Sequence, residues 1–562
     1  MIYVIMHLFF ARMCHYAVCI YIALPFILSW KRRKFQMSEI SEKETSVAKK
    51  IVSGTLIIIM VSVMAKVMSY IAEAVNAYYI GTGHIADAFS MVTTIQNLLT
   101  TMLSLGITKV FLPAYKRHIT LGENDQANRL ANRLTTMLLL ITACVVAVLV
   151  LFRRQVVSLF APGFNADDAA LCAELLAISS PMNLFIIMSS TYSAMLQCHN
   201  QFFGSQIREV ASHIPPVLCA ILLYKRLGEE LGIRAMAVAL IIGAMCRLLV
   251  ELPFVNWKYH YRPDFSFHDI EYRHVLKKLP AAMVTAGISR INSLVDSIMA
   301  SGLGEGAVSA MKYAGRLHHV FSGLLSTAIS TALYPQMVEL IALGKHKELS
   351  KIVTKILNIF CVLMIPVSIA GILFGTPLIQ VAFERGKFDA SSTALTAGVF
   401  GCYCIGLLFT ASSGVLTNIF YGNGDTKTPM FISLGVVVLN IGLNFVFTSF
   451  MGISGLALAT SLATFVGVII KFILVRKHVD ILWKDLLIII LKVLLASVIS
   501  IVPAYFVSGL VANKYLHLLS AAVMGIAIYL AMMRILRVPA VNEIIQLLKK
   551  KVSGKKKTVL NG

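Results

Sequence analysis

The sequence predicts an all-α integral membrane protein of about 14 transmembrane helices, six in each of two repeated lobes and two after them. Three observations predict it. The first is composition. Of 562 residues, 58% are hydrophobic and only 14% charged, and the mean hydropathy is +0.79, which leaves no room for a large water-soluble domain. The second is the recurrence, from end to end, of apolar runs of about 20 residues, the length that crosses a bilayer. The third is an internal repeat. Phe111-Leu112-Pro113 is answered by Leu333-Tyr334-Pro335, and Leu121-Gly122 by Leu343-Gly344, both 222 residues on. Phe160 meets Phe383 and Asn200 meets Asn423 at 223, and Leu231-Gly232-Ile233 meets Met451-Gly452-Ile453 at 220. Duplicated hydrophobic halves are how many secondary transporters are built, with the substrate site near mid-membrane between them. A transporter with a central cavity is the first functional expectation.

The elements follow in order. Residues 1–50 form a leader in which the apolar, aromatic Met1–Trp30 precedes Lys31-Arg32-Arg33-Lys34. It reads as an extra N-terminal helix, as a signal anchor, or as an upstream start ahead of a polar leader opening at Met37. It lacks the basic start and small-residue cleavage site of a secretory signal. Residues 51–256 make the first lobe, with spans at 51–80, 86–113, 132–152, 171–198, 208–224 and 235–256. A linker at 257–277 leads to the second lobe, 278–476, with spans at 278–302, 308–339, 353–374, 391–421, 427–449 and 453–475. Residues 477–537 carry two last spans, 485–509 and 515–535, and residues 538–562 form a basic tail. Helices are the expected spanning form because lipid offers the backbone no hydrogen-bonding partner. The alternation of a membrane barrel is absent.

Charge orients the chain. With residues 31–50 in the cytoplasm and the loops alternating, 34 Lys and Arg fall on the inner side and 8 in outer loops. This is a strong positive-inside bias. The net charge of +23 is therefore a matter of orientation and attraction to anionic lipid, and nucleic acid is not the expected partner. The ten cysteines are scattered without a CxxC pair and read as small buried hydrophobes rather than disulfides or metal ligands.

No HExxH, GxSxG or Walker A pattern is present, so neither an enzyme nor an ATP-driven machine is indicated. Gly422–Pro429 has the wrong spacing for a phosphate loop and reads as a turn before a helix started by Pro429. The informative residues are ionisable groups inside the spans. Lys109, Arg247 and Lys492 lie toward span ends, where long side chains snorkel. Lys66, Arg290 and Arg316 lie deeper, where a charge costs at least ~2.5–3.5 kcal/mol on insertion scales and so faces a cavity or a partner. Several cations around one cavity suit an anionic substrate such as a diphosphate. The competing reading is internal pairing, with Glu73 seven residues from Lys66 on the same face and Asp87 and Asp296 available to Arg290 or Arg316. Lys312, Arg316 and His319 follow i, i+4, i+7 spacing and form one stripe. Asn292 with Asp296, and Asn440 with Asn444, are i, i+4 pairs. Their carboxylate and amide oxygens suit a hard cation such as Na⁺, or else hydrogen-bond one helix to another.

Several segments together resemble the MurJ family of the MOP (multidrug/oligosaccharidyl-lipid/polysaccharide) exporter superfamily. They are Ala86-Asp87-Ala88-Phe89, Phe160-Ala161-Pro162-Gly163-Phe164, Ile291–Asp296, Tyr313–Leu317, Phe383–Phe388 and Gly424–Pro429. The resemblance runs from about residue 50 to the end. It implies two lobes forming a V-shaped cavity in the bacterial plasma membrane. It also implies alternating access that moves lipid II, the undecaprenyl-diphosphate-linked peptidoglycan precursor, from the inner to the outer leaflet. Cavity cations would hold the diphosphate, and a groove by the last two helices the lipid tail. It implies a monomer, surrounding lipid and contact with cell-wall synthesis machinery. Arg316 resembles an essential cavity arginine, Lys66 stands where the family has arginine, Glu73 where it has aspartate, and Asp87 matches directly. The substrate set this gives is Lys66, Glu73, Asp87, Arg290, Lys312, Arg316 and His319, with no cofactor. Asp296, Asn440, Asn444 and Thr460 resemble a sodium site, with Asn444 where aspartate is usual.

The departures are Ala72 and Thr100 at positions of two other cavity arginines, His319 at that of an acid, and the extra cation Arg290. They keep open a flippase for another polysaccharide or spore-wall lipid intermediate. A drug/cation antiporter of the same superfamily would require an acidic cavity, against Lys66, Arg290 and Arg316. A scaffold without transport has no use for so many buried charges, although repeats argue for fold rather than for transport.

Overall fold

A computed structural model describes residues 45–199, 201–255, 259, 261–266, 287, 290–479, 483–511 and 513–538. The expectations for Met1–Trp30, for Met37 and for the lysines of the tail lie outside the described residues, as does the side chain of Lys109. In chain order the helices are α1 Thr45–Ile80, α2 His84–Leu121, α3 Asn124–Leu151, α4 Arg153–Phe160, α5 Ala166–Ser179, α6 Met182–Cys198, α7 Phe202–Cys219 and α8 Lys225–Val255. Then come α9 at 290–300, α10 Ala307–Ala342, α11 His346–Leu373, α12 Gly375–Phe383, α13 Ala390–Ile405, α14 Leu407–Gly422, α15 Lys427–Met451, α16 Ile453–Val475, α17 Trp483–Ser508 and α18 Lys514–Ile535. Strands are absent from the described residues.

By length and composition, seven of the described helices can cross a membrane, or up to nine if each bent pair is one span. The count of 14 remains a reading of the sequence. The bent pairs correct two predicted spans. The one expected at 171–198 is broken between α5 and α6 by 45°, and the one at 391–421 between α13 and α14 by 43°. At the first break Pro181 cannot extend the preceding helix. At the second, a Cβ on Gly406 would stand 2.7 Å from the Ser461 hydroxyl, so only glycine admits the neighbouring helix. A π-helical turn, Ala220–Tyr224, follows Pro215 and Pro216 and runs toward α8. Gly228 (φ 75°) breaks the helix there and separates the fifth and sixth predicted spans.

The repeat in the sequence has a local physical meaning. Gly122 takes φ 79°, and its N–H and that of Glu123 return to the carbonyls of Ile119 and His118. Gly344 takes φ 66°, with Gly344 and Lys345 returning to Ile341 and Leu340. Both are glycine-terminated caps that satisfy orphan carbonyls, which is why the Leu-Gly pair recurs. The segment after each cap also corresponds, a long helix followed by a short one and then a bent pair. The bent pair starts from a side-chain cap each time: Asn165 accepts from the Asp168 N–H at 2.7 Å and Asp389 from the Ser392 N–H at 2.8 Å. The Ser392 N–H, with the hydroxyls of Ser392 and Ser391, holds the Asp389 carboxyl below its ordinary 3.8. The cap therefore stabilises α13 fully above that pH and is lost as pH falls through the depressed folded value. Asp389→Ala should cost about 1 kcal/mol near neutrality, and thermal unfolding of variant and parent should converge in strong acid.

The largest buried cluster joins the two halves, from Ala77, Phe89 and Met91 to Tyr313, Phe383 and Phe400. A smaller one lets Val493, Ala496 and Met533 of the last two helices pack on Cys361 and Ile365 of α11. Facing outward are Phe431, Val438, Phe445, Phe506, Val523 and Ile535, each more than 60% exposed. Such a surface belongs in lipid and not in water.

On the outer side, as charge orients the chain, the halves are sewn together at the end of α1 and the start of α2. Tyr313 donates its hydroxyl to the Gly81 carbonyl (3.1 Å), Thr82 meets Ser392 (2.6 Å), and the His84 N–H reaches Glu305 (3.2 Å). The Lys387 N–H donates to the Tyr78 carbonyl at 2.9 Å. A Cβ on Gly163 would lie 2.3 Å from the Gly302 Cα. The motifs Phe160–Phe164 and Phe383–Phe388 thus both sit on this seam, and their glycines permit the close approach.

Candidate functional site

The interior cluster is built by α1 and α10. Glu73 is 5% exposed. Its Oε1 accepts from Arg316 Nη2 at 3.0 Å, and its Oε2 stands 3.7 Å from Lys312 Nζ. Spacing of i, i+4 puts Lys312 and Arg316 on one face of α10, so one carboxylate from the facing helix reaches both. Lys312 Nζ also lies 5.6 Å from the centre of the Phe89 ring, a cation–π contact. The Arg316 side chain is 35% exposed and keeps guanidinium N–H groups free of Glu73. His319 stands in the electrostatic field of Arg316, Arg290 and Lys66, which brings the deep cations of the sequence into one neighbourhood. Among the described residues neither Lys66 nor Arg290 has a carboxylate within ion-pair distance. Two of these four cations thus pair with Glu73. The pairing reading applies to Lys312 and Arg316, which meet Glu73, and not to Lys66 and Arg290 among the described residues. Lys66 Nζ would lie 3.1 Å from a Cβ on Gly323, so the bare backbone of α10 leaves room for its ammonium.

Asp87 is the correction. It is 4% exposed and lies apart from this cluster, pairing with neither Arg290 nor Arg316. Its two oxygens accept the backbone N–H groups of Gly306 and Ser309, both at 2.8 Å. A helix start carries orphan N–H groups and positive partial charge. Asp87 therefore caps α10 from the other half of the molecule and belongs to the seam.

The second predicted constellation does assemble. Asp296 on α9 is 3% exposed. It accepts from Asn444 Nδ2 at 2.8 Å and from the Thr460 hydroxyl at 3.0 Å. Asn440 lies 3.1 Å from Thr460 Oγ1. With its amide turned about, its nitrogen donates to Asp296 at 3.2 Å and to Asn292 at 2.8 Å. Three helices thus bring one carboxylate, amide groups and a hydroxyl to one point.

Two polar sites were not legible as such. Arg247 does not snorkel. It donates to Glu209 (3.1 Å) and to the Ser189 hydroxyl (3.3 Å). Ser189 in turn donates at 2.6 Å to the fully buried Glu251, with Arg208 Nε at 3.8 Å from the same carboxylate. The i, i+4 spacing of Arg247 and Glu251 was the available signal. Lys471 of α16 is 7% exposed and donates to the hydroxyls of Ser413 and Thr417 at 2.8 and 3.0 Å. Lys492, by contrast, reaches the Leu536 carbonyl at 3.0 Å near the end of its helix.

Two corresponding helical halves, joined along the outer seam and bringing several cations to one interior cluster, are the architecture of a multi-helix membrane transporter. The chain belongs to the MurJ family: the family described as lipid II flippase MurJ matches residues 76–525. A probable lipid II flippase MurJ of Borreliella burgdorferi is 26% identical over 461 residues, covering 81% of this chain and 89% of that protein. The lipid II flippase MurJ of Burkholderia cenocepacia is 27% identical over 426 residues, covering 74% and 82%. A solved lipid II flippase MurJ in an inward closed conformation superposes with a TM-score of 0.74 at 23% identity, covering 85% of this chain and 98% of that one. A MATE multidrug transporter of the MOP superfamily reaches 0.59 at 13% identity, covering 74% and 94%. These two likenesses show the fold.

Proposed function

We propose that this chain is a lipid II flippase of the bacterial inner membrane. It carries the undecaprenyl-diphosphate-linked glycan from the inner to the outer leaflet by alternating access. The observation that carries this reading is the family match over residues 76–525, joined to a cation cluster that holds one carboxylate among the described residues. A diphosphate is the part of the substrate that such a cluster recognises. Arg316 offers a planar fork to two phosphate oxygens, while Lys66 and Arg290 supply charge that no carboxylate among the described residues cancels. Glu73 holds Arg316 and Lys312 in place without neutralising the set. The hydrogen bonds and close contacts of the outer seam keep that side shut while the headgroup enters from the cytoplasm. The test is depletion of the native flippase in a bacterium expressing the full chain, following growth and the outer-leaflet lipid II pool. Both should return. Inserted, folded protein without recovery of the pool would overturn lipid II as the cargo.

Asp296, Asn440, Asn444 and Thr460 are proposed to hold a coupling Na⁺. The residue types fit, since a carboxylate, two amides and a hydroxyl can offer the oxygen ligands a hard cation takes, once the amides that here donate to Asp296 turn their carbonyls toward the ion. Bound there, the ion would supply positive charge that fixes α9 against α15 and α16. Asp296→Ala should make the protein's thermal stability insensitive to replacing Na⁺ by a large organic cation, where the parent gains stability from Na⁺. An unchanged sodium response in the variant would remove the assignment.

A further inference from the structure

Lys471 differs from every other cation of the structure. It is the one lysine or arginine that is buried among the described residues, and no carboxylate among them pairs with it. The hydroxyls of Ser413 and Thr417 on α14 hold its ammonium instead. A lysine in the last turns of a span ordinarily snorkels to the nearer surface. As charge orients the chain, α14 and α16 both run toward the inner face, and Ser413 lies one turn deeper than Thr417. Lys471 thus directs its charge back into the second half. The same face of α16 carries the candidate cation site. Thr460, Thr464, Gly467 and Lys471 follow i, i+4, i+7, i+11 spacing, which sets them on one face, and Thr460 donates to Asp296 at 3.0 Å. Between the two, a Cβ on Gly467 would stand 2.5 Å from Val436 Cγ2. At that turn α15 packs directly on α16, so side chains rather than bulk water lie between the two charges.

We infer that Lys471 is a fixed positive charge that weakens cation binding at the Asp296 site and so favours release of the ion. Asp296 is the one buried carboxylate, and Lys471 the one buried cation, among the described residues of the second half. With the site empty the two charges balance. With Na⁺ beside Asp296 this buried interior carries one positive charge in excess, and the ion binds against the repulsion of the ammonium. Thr460 and Lys471 are about 16 Å apart along α16, at the rise of an α-helix. At that separation, and at an effective dielectric of about 20, one unit charge changes an affinity by about fivefold. A lysine with only a structural role would act through its two hydrogen bonds and not through its charge. The inference rests on the reading of Asp296, Asn440, Asn444 and Thr460 as a cation site; the burial of Lys471 without a carboxylate does not.

The test is the apparent Na⁺ affinity of the full chain in nanodiscs, read from the midpoint of thermal unfolding as Na⁺ replaces N-methylglucamine at constant ionic strength. Lys471→Gln removes the charge but can still hydrogen-bond to Ser413 and Thr417, and should bind Na⁺ about fivefold tighter than the parent. Lys471→Met removes both, and should show the same gain in affinity on a less stable protein. Lys471→Arg keeps the charge and should bind Na⁺ as the parent does. Asp296→Ala combined with Lys471→Gln should lose the sodium response, which ties the effect to that site. Parent-like affinity in Lys471→Gln would overturn the inference and leave Lys471 as a tie between α14 and α16. A parent that gains no stability from Na⁺ would instead remove the cation site itself, and this inference with it.

Discussion

Arg316→Ala is expected to insert and fold normally and to lose transport by about 10- to 100-fold, the worth of one or two hydrogen bonds to a charged group. The side chain is 35% exposed, so its truncation leaves no buried void. It does leave Glu73 with Lys312 alone, at 3.7 Å. Two further variants separate substrate binding from internal pairing. Arg316→Lys keeps the charge but loses the planar fork and should be intermediate, because the two cations are not interchangeable at a bidentate site. Glu73→Gln keeps all four cations while weakening the tether, and should cost less than Arg316→Ala. The measurement is the outer-leaflet lipid II pool per inserted molecule. Parent-like transport in Arg316→Ala would eliminate the diphosphate clamp. A larger loss in Glu73→Gln than in Arg316→Ala would reduce Arg316 to a structural partner.

Gly386→Ala is expected to hold the outer seam ajar. Gly386 has φ 65°, and a Cβ there would sit 2.3 Å from the Tyr78 carbonyl oxygen. That oxygen is also the acceptor of the Lys387 N–H at 2.9 Å, so the added methyl and the hydrogen bond cannot coexist. Backbone strain of this kind costs of order 1–3 kcal/mol, and the clash adds to it, so the closed seam should be depopulated about tenfold or more. A cysteine at Thr82, in a background freed of native cysteines, should then react faster with an impermeant maleimide from outside, and transport should fall. Gly344→Ala is the control. Its φ is 66° with nothing within 4 Å of the added Cβ, so it carries the strain without the clash. Equal effects of the two substitutions would show that Gly386 matters for its dihedral alone.

Part of the candidate site was legible because it is local. The i, i+4 spacing of Lys312 and Arg316 fixes them on one face whatever surrounds them. Burying a cation in lipid is costly enough that Lys66, Arg290 and Arg316 stand out in an apolar chain. Asp296, Asn440 and Asn444 were found as i, i+4 pairs, and Thr460 only through the family resemblance. The partner of each group was not legible. Glu73 lies on the same helix as Lys66 but bonds to Arg316, 243 residues away. Asp87 was grouped with the cavity through the family resemblance, yet a helix start from the other half claims both its oxygens. Arg247 was placed at a span end by position alone, whereas Glu209 and Ser189 hold it inside.

The sequence by itself determined the membrane class, the orientation, the duplication and the presence of interior cations. These follow from composition, span length, positive-inside bias and period, all of which are properties of neighbouring residues or of sums along the chain. Only the tertiary structure decided which cations are cancelled, where the two predicted spans bend, that Asp87 caps α10, and that Lys471 turns inward to two hydroxyls of α14. Those outcomes depend on close approach between helices far apart in sequence, where a missing Cβ at Gly163, Gly386 or Gly406 fixes the geometry and hydrogen-bond partners are assigned by distance rather than by spacing.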